Sequence, residues 1–184
     1  ITGSGGLAGE FGHVPIDPSG PLCGCGMRGC WEMYASSRAA IRYYRELAPD
    51  AAPIAIQDLL NLAEDGDSNA IAALTRQATH LGRGLRLVTA VLSPEVIILT
   101  GDLAASWSTF GPVVEAELKA QMLAGPAPRL VVTTDGELAR LRGAGATALQ
   151  RHSGYYRSTH PSTHTQAATK HKTRVSDAKV RGKG

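Results

Sequence analysis

Cys23, Cys25 and Cys30 are the only three cysteines of this 184-residue chain, and they fall within eight consecutive positions. Thiolates packed this closely suit a metal better than a disulfide framework, because three sulfurs cannot all pair with one another. Zinc takes four soft or borderline ligands in a tetrahedron, and a structural site closes all four positions with protein atoms. The fourth donor expected here is His13, which nine residues separate from Cys23. Gly24, Gly26 and Gly29 lie between the sulfurs. They let the chain take the tight, partly left-handed turns that wrapping one ion demands. Two other readings of the same residues stand beside this one. The thiols could be ordinary buried or reactive cysteines with His13 as a core histidine, or they could do redox chemistry, although no CxxC spacing is present.

Such a loop needs a scaffold, and the pattern downstream supplies one. Residues 31–48 place Trp31, Tyr34, Ala35, Ile41, Tyr44 and Leu47 near helical period, and Pro49 ends the run. A short helix is expected over 55–64. A long one is expected over 68–92, capped by Ser68 or Asp67 and stopped at Ser93-Pro94. Gly82 and Gly84 inside it weaken helix propensity and so predict close approach of another backbone. The apolar run 96–101, VIILTG, reads as a strand of the buried parallel type. A helix over 107–123, a strand over 129–134 and a helix over 137–150 follow. This alternation predicts an α/β lobe.

Charge divides the chain unevenly. Residues 1–151 hold 12 Lys and Arg against 15 Asp and Glu, whereas residues 152–184 hold 7 against 1. The net charge of +3 is therefore a property of the tail. Residues 152–184 also lack apolar periodicity and are expected to be a basic, disordered tail, with weak attraction to polyanions as its functional reading. The irregular spacing of its His152, His160, His164 and His171 argues against a metal site there. No apolar run is long enough for a membrane-spanning helix, so no membrane partner is expected. The opening ITGSGGLAGEFGH has no signal-peptide layout and reads as the interior of a longer fold.

The stretch GEFGH, nine residues, then CGCGMRGCWE resembles the signature of the ROK family of bacterial repressors, open reading frames and sugar kinases. Its pattern is GExGH, nine to eleven residues, CxCGxxGCxE, and every position matches. The similarity continues through YAS at 34–36 and RGAGATAL at 142–149, so it spans about residues 1–150.

That resemblance implies the C-terminal lobe (residues 1–151) of an actin-like, hexokinase-like (ribonuclease H-like) α/β fold, with a zinc loop inserted over 13–32. It implies sugar contacts by Glu10, His13 and Glu32, with zinc on His13, Cys23, Cys25 and Cys30. His13 would then serve both metal and sugar. It further implies homo-oligomers, and reduced thiolates on a metal, rather than disulfides, fit a cytoplasmic protein. Two functions fit the family: a sugar-responsive transcriptional regulator, which touches DNA through an N-terminal domain, and an ATP-dependent hexose kinase, which needs Mg²⁺. The N-terminal lobe and any DNA-binding domain are expected to be missing here, and no catalytic base is a candidate in this chain. The turn after the strand at 96–100 tips the choice. Where kinases of the family carry a glycine-rich turn for nucleotide, this chain has Thr100, a single Gly101 and Asp102. Repressor-type members carry similar turns, so the effector lobe of a regulator is the leading reading. The kinase and an inactive fragment are the alternatives, and Gly101 is the nucleotide-side candidate if a kinase.

Overall fold

A computed structural model describes residues 7–120, 125–133 and 135–152. A 3-10 turn at Phe11–His13 opens it, and two short helices follow the cysteine loop: α1 (Glu32–Ala35) and α2 (Ser37–Leu47). Then come α3 (Ile56–Glu64), α4 (Ser68–Leu92), β1 (Val96–Thr100), a 3-10 turn at Asp102–Ala104, α5 (Trp107–Lys119), β2 (Arg129–Thr133) and α6 (Gly136–His152). The chain divides into two compact units, Ile1–Leu138 and Ala139–Gly184. The expected basic tail falls, apart from His152, outside the described residues. Among the described residues, no helix is long and apolar enough to cross a membrane.

The single helix expected over 31–48 is in fact two. Ser36 adopts an extended backbone (φ −78°, ψ 164°), and its hydroxyl accepts from the Ala39 N–H at 3.3 Å. A serine that can satisfy an orphan donor competes with helix continuation, and here it restarts the helix instead. α4 keeps its expected bounds. Asp67 caps it by accepting from the Ala70 N–H at 2.7 Å, and Ser93 closes it in the left-handed conformation before Pro94.

α4 is the spine of the first unit, with α1, α2, α3 and α5 all packed along it. Of its two interior glycines, Gly82 meets another backbone as expected, whereas Gly84 makes room for a side chain. A Cβ at Gly82 would lie 2.5 Å from the Val114 carbonyl oxygen, and one at Gly84 would lie 1.8 Å from the Trp31 ring. Helix α5 and the indole therefore sit against bare backbone. The core is completed by Tyr43, Leu59, Leu60, Leu74, Val114 and Leu118, all fully buried. Leu74→Ala is expected to cost about 2–5 kcal/mol, read by urea denaturation, because the close-packed surroundings collapse only partly into the cavity.

β1 and β2 pair in parallel, with Ile98 opposite Val131. A parallel strand is expected to be covered on both faces. Instead, burial alternates along β1: Ile97 and Leu99 pack on the core, while Val96 and Ile98 face outward, Ile98 with 66% of its surface exposed. The apolar run hid this, since a strand covered on one face in the described residues and one covered on both can share a composition.

Candidate metal centre and adjoining carboxylates

The loop between the 3-10 turn and α1 is held by its own backbone. Trp31 N–H donates to the Val14 carbonyl at 2.9 Å, and Ile16 N–H donates to that of Gly29 at 2.8 Å. Gly29 N–H donates to Pro21 O at 2.8 Å and Cys23 N–H to Met27 O at 2.8 Å. Antiparallel bridges Pro15 to Cys30 and Leu22 to Arg28 frame the same turn. Gly29 sits at φ +66°, and a Cβ there would lie 1.6 Å from the Asp17 carbonyl oxygen. Both the conformation and the space require glycine.

The loop is also tied to the helices. The Tyr34 hydroxyl donates to Asp17 Oδ2 at 2.8 Å, and Tyr43 donates to the Tyr34 carbonyl at 3.0 Å. The Tyr34 ring rests 5.1 Å from that of His80 on α4, and Trp31 Nε1–H donates to the His80 carbonyl at 2.8 Å. Burial, then the bond to Asp17, pushes the Tyr34 phenol up to about 12. Bonds from Ser19 and Tyr34 hold Asp17 below the usual carboxylate range. Asp17 therefore stays an acceptor for the loop across the whole physiological range.

Within this frame, one donor atom each from His13, Cys23, Cys25 and Cys30 lies within 4.8 Å of the others. Zn–S bonds of about 2.3 Å at the tetrahedral angle put two sulfurs about 3.8 Å apart, and a sulfur and an imidazole nitrogen about 3.6 Å apart. Cys25 Sγ and Cys30 Sγ are 3.6 Å apart, and Cys23 Sγ lies 3.5 Å from His13 Nδ1. The donor set and these spacings are consistent with a zinc site. Cys23 and Cys30 are buried, and Cys25 is exposed.

The carboxylates expected to meet sugar stand beside this cluster. Glu32, the first residue of α1, has Oε1 at 3.5 Å from His13 Nδ1 and at 2.9 Å from Cys23 Sγ, whose thiol donates to it. Glu10 Oε2 lies 3.9 Å from His13 Nε2. The three side chains keep between about a third and two thirds of their surface open to solvent. They thus form one patch of acceptors, the chemistry that vicinal hydroxyls require. A cavity of about 650 Å³ opens on Glu32 and is bounded by Leu22, Met33 and Arg42.

Gly101 lies elsewhere. It follows β1 at φ +119°, and none of Glu10, His13 or Glu32 lines the cavity it borders. Ser36 and Ser37 at the start of α2 line both cavities. Ser37, whose hydroxyl donates to Asp102 Oδ2 at 2.6 Å, escaped the sequence reading. Its partner is 65 positions away, and no local pattern marks such a pair.

A family model described as the ROK family matches residues 1–151. The chain belongs to the ROK family. Among curated relatives of this ROK chain, the xylose repressor of Bacillus subtilis (strain 168) is 38% identical over 104 residues, 56% of this chain and 26% of the repressor. The glucokinase of Streptomyces coelicolor is 32% identical over 162 residues, 78% of this chain and 51% of the enzyme. The crystal structure of a ROK family glucokinase from Streptomyces griseus in complex with glucose and AMPPNP superposes with a TM-score of 0.63 at 28% identity, covering 69% of this chain and 46% of that one. The ROK chain therefore spans about half or less of these relatives, and its fold is the α/β, actin-like fold of the family. Repressors and kinases both stand among them.

Proposed function

We propose that this chain is the sugar-binding lobe of a ROK regulator, with Glu10, His13 and Glu32 as the sugar contacts and a structural zinc on His13, Cys23, Cys25 and Cys30. The convergence of two carboxylates and one imidazole on the thiol cluster carries the reading. Zinc bound there would fix the loop and the tautomer of His13, and the protein's own groups would do the recognition. Glu10 and Glu32 would accept from neighbouring hydroxyls of the sugar, and His13 would offer the ring nitrogen that the metal leaves free. A xylose repressor and a glucose-bound glucokinase among the relatives point to an aldose as the ligand class.

The turn Thr100-Gly101-Asp102 supports the regulator over the kinase, because a carboxylate repels the phosphates that a glycine-rich turn would admit. In this reading DNA is contacted through a domain outside this chain, and the protein works in the cytoplasm as a homo-oligomer. The basic tail adds weak attraction to polyanions. The kinase reading has its own support, since the Streptomyces coelicolor glucokinase aligns over more of the chain than the repressor does. In that case ATP and Mg²⁺ would bind on the Gly101 side, and the catalytic base would come from the part of the relatives that this chain does not span.

Titration calorimetry with D-xylose and D-glucose tests the sugar site. Glu10→Ala and Glu32→Ala are each expected to weaken binding about tenfold or more, the scale of one charge-assisted hydrogen bond, with an unchanged melting temperature. Unchanged isotherms in both variants would remove these residues from the site. Titration with Mg·ATP is expected to give no heat, and saturable binding would favour the kinase.

A further inference from the structure

The three thiols of the loop differ in what covers them. Cys23 and Cys30 keep only 3% and 0% of their surface, whereas Cys25 is exposed. Glycines flank Cys25 on both sides, and a Cβ at Gly24 or Gly26 would meet nothing within 4 Å. Solvent and small solutes therefore reach this corner of the cluster.

Cys30 is the thiol paired with it, the two Sγ atoms lying 3.6 Å apart. Cys30 is also held in place, since its backbone bridges to Pro15 and its Sγ donates to the His13 carbonyl at 3.3 Å. Cys23 is engaged instead by Glu32 Oε1 at 2.9 Å and His13 Nδ1 at 3.5 Å. A thiol that coordinates a metal is deprotonated, and oxidation falls on thiolates that solvent can reach. A second sulfur beside the exposed one captures the first oxidation as a disulfide before it can proceed further.

We propose that the cluster is also a peroxide-sensitive switch: a hydroperoxide oxidises Cys25, Cys30 resolves it, and closure of the Cys25–Cys30 disulfide releases the metal. The Cys25 thiolate attacks a hydroperoxide oxygen and the O–O bond breaks, giving a sulfenic acid on Cys25 and an alkoxide or hydroxide. The Cys30 thiolate then attacks the Cys25 sulfur, the S–O bond breaks and hydroxide departs. Solvent protonates both leaving groups, and two electrons pass from the two thiolates to the hydroperoxide. The sulfurs must close from 3.6 Å to about 2.05 Å, a movement that falls to Cys25 and its glycine neighbours because Cys30 is tied down. Closure leaves His13 and Cys23 as donors, half of what a structural zinc site needs. It also ends the donation from Cys30 to the His13 carbonyl, so oxidation loosens the mount of His13. The effect on sugar rests on the reading of His13 proposed above, whereas the effect on metal does not.

The test treats the full chain, as purified with its zinc, with hydrogen peroxide. A chromogenic chelator, 4-(2-pyridylazo)resorcinol, reads released zinc, and mass spectrometry of an unreduced digest reads the disulfide. About one zinc per chain and one Cys25–Cys30 disulfide are expected to appear together, and dithiothreitol with added zinc should reverse both. Cys25→His keeps four donors without the oxidisable corner and should release zinc at least tenfold more slowly. Dimedone trapping in the unaltered protein gives the same answer without a variant, with the sulfenic label expected on Cys25. Zinc retained under peroxide, a disulfide through Cys23, or a first label on Cys23 or Cys30 overturns the switch. Equal release from Cys25→His overturns the part given to Cys25, and protein that holds no zinc before treatment overturns the release of metal. Titration of D-glucose into reduced and oxidised protein separates the two readings. Affinity should fall about tenfold on oxidation. Unchanged affinity overturns the coupling to His13, and no binding by reduced protein strikes the sugar site while the zinc and disulfide results still decide the switch.

Discussion

Cys25→Ser is expected to bring the zinc content of the purified protein from about one per chain to near zero and to lower its melting temperature by about 6–12 °C, corresponding to roughly 3 kcal/mol in a chain of this length. Cys25 is the informative cysteine because it is the exposed one. Replacing Cys23 or Cys30 would disturb packing as well as ligation, whereas serine at 25 removes little besides the soft donor. Folding alone creates the four-donor arrangement, so the free energy of binding metal is added to that of folding. A chelator strong enough to strip the ion should reproduce the shift in the unaltered protein and change the serine variant much less. Elemental analysis and calorimetry read both results. Unaltered protein that is free of zinc and melts with the variant would rule the metal out.

Gly29→Ala is expected to cost about 3 kcal/mol or more by urea denaturation, comparable to the loss of the metal. Two effects add. A non-glycine residue at φ +66° costs about 1–2 kcal/mol. The collision with the Asp17 carbonyl costs more, because that group is backbone and is tied down by two N–H donors, from Ser19 to the Asp17 carboxylate and from Gly20 to the carbonyl. Gly24→Ala is the control, because a Cβ there meets nothing within 4 Å. It should stay within about 0.5 kcal/mol, like other substitutions away from packed features. If the two variants melted together, the loop would be free to rearrange, and its role as a rigid mount for His13 and Glu32 would fail.

What the chain reveals before folding depends on how far apart the cooperating residues lie. The four-donor cluster is written within residues 13 to 30, so spacing points to it, whereas Glu10 and Glu32 are marked only by the family pattern they complete. The long helix is equally plain, since its cap and its stop act locally, although the neighbours of its two glycines, Val114 and Trp31, lie far along the chain. Ser36 shows the limit: helical periodicity runs straight through residues 31–48, and only a serine's ability to cap its own downstream N–H breaks it. The tether of Tyr34 to Asp17 and His80 and the donation from Ser37 to Asp102 are invisible to pattern reading. Each depends on segments brought together by α4, and nothing in a one-dimensional chain marks that meeting.

The outward face of β1 has a consequence for handling the molecule. Val96 and Ile98 lie exposed on a two-stranded ribbon, and among the described residues no third strand pairs with either edge. Unpaired edge N–H and C=O groups next to β-branched side chains form a template on which another chain can add. Ile98→Lys is therefore expected to lower any self-association of this chain, read by light scattering across a dilution series. That makes Ile98→Lys the natural background in which to measure everything else.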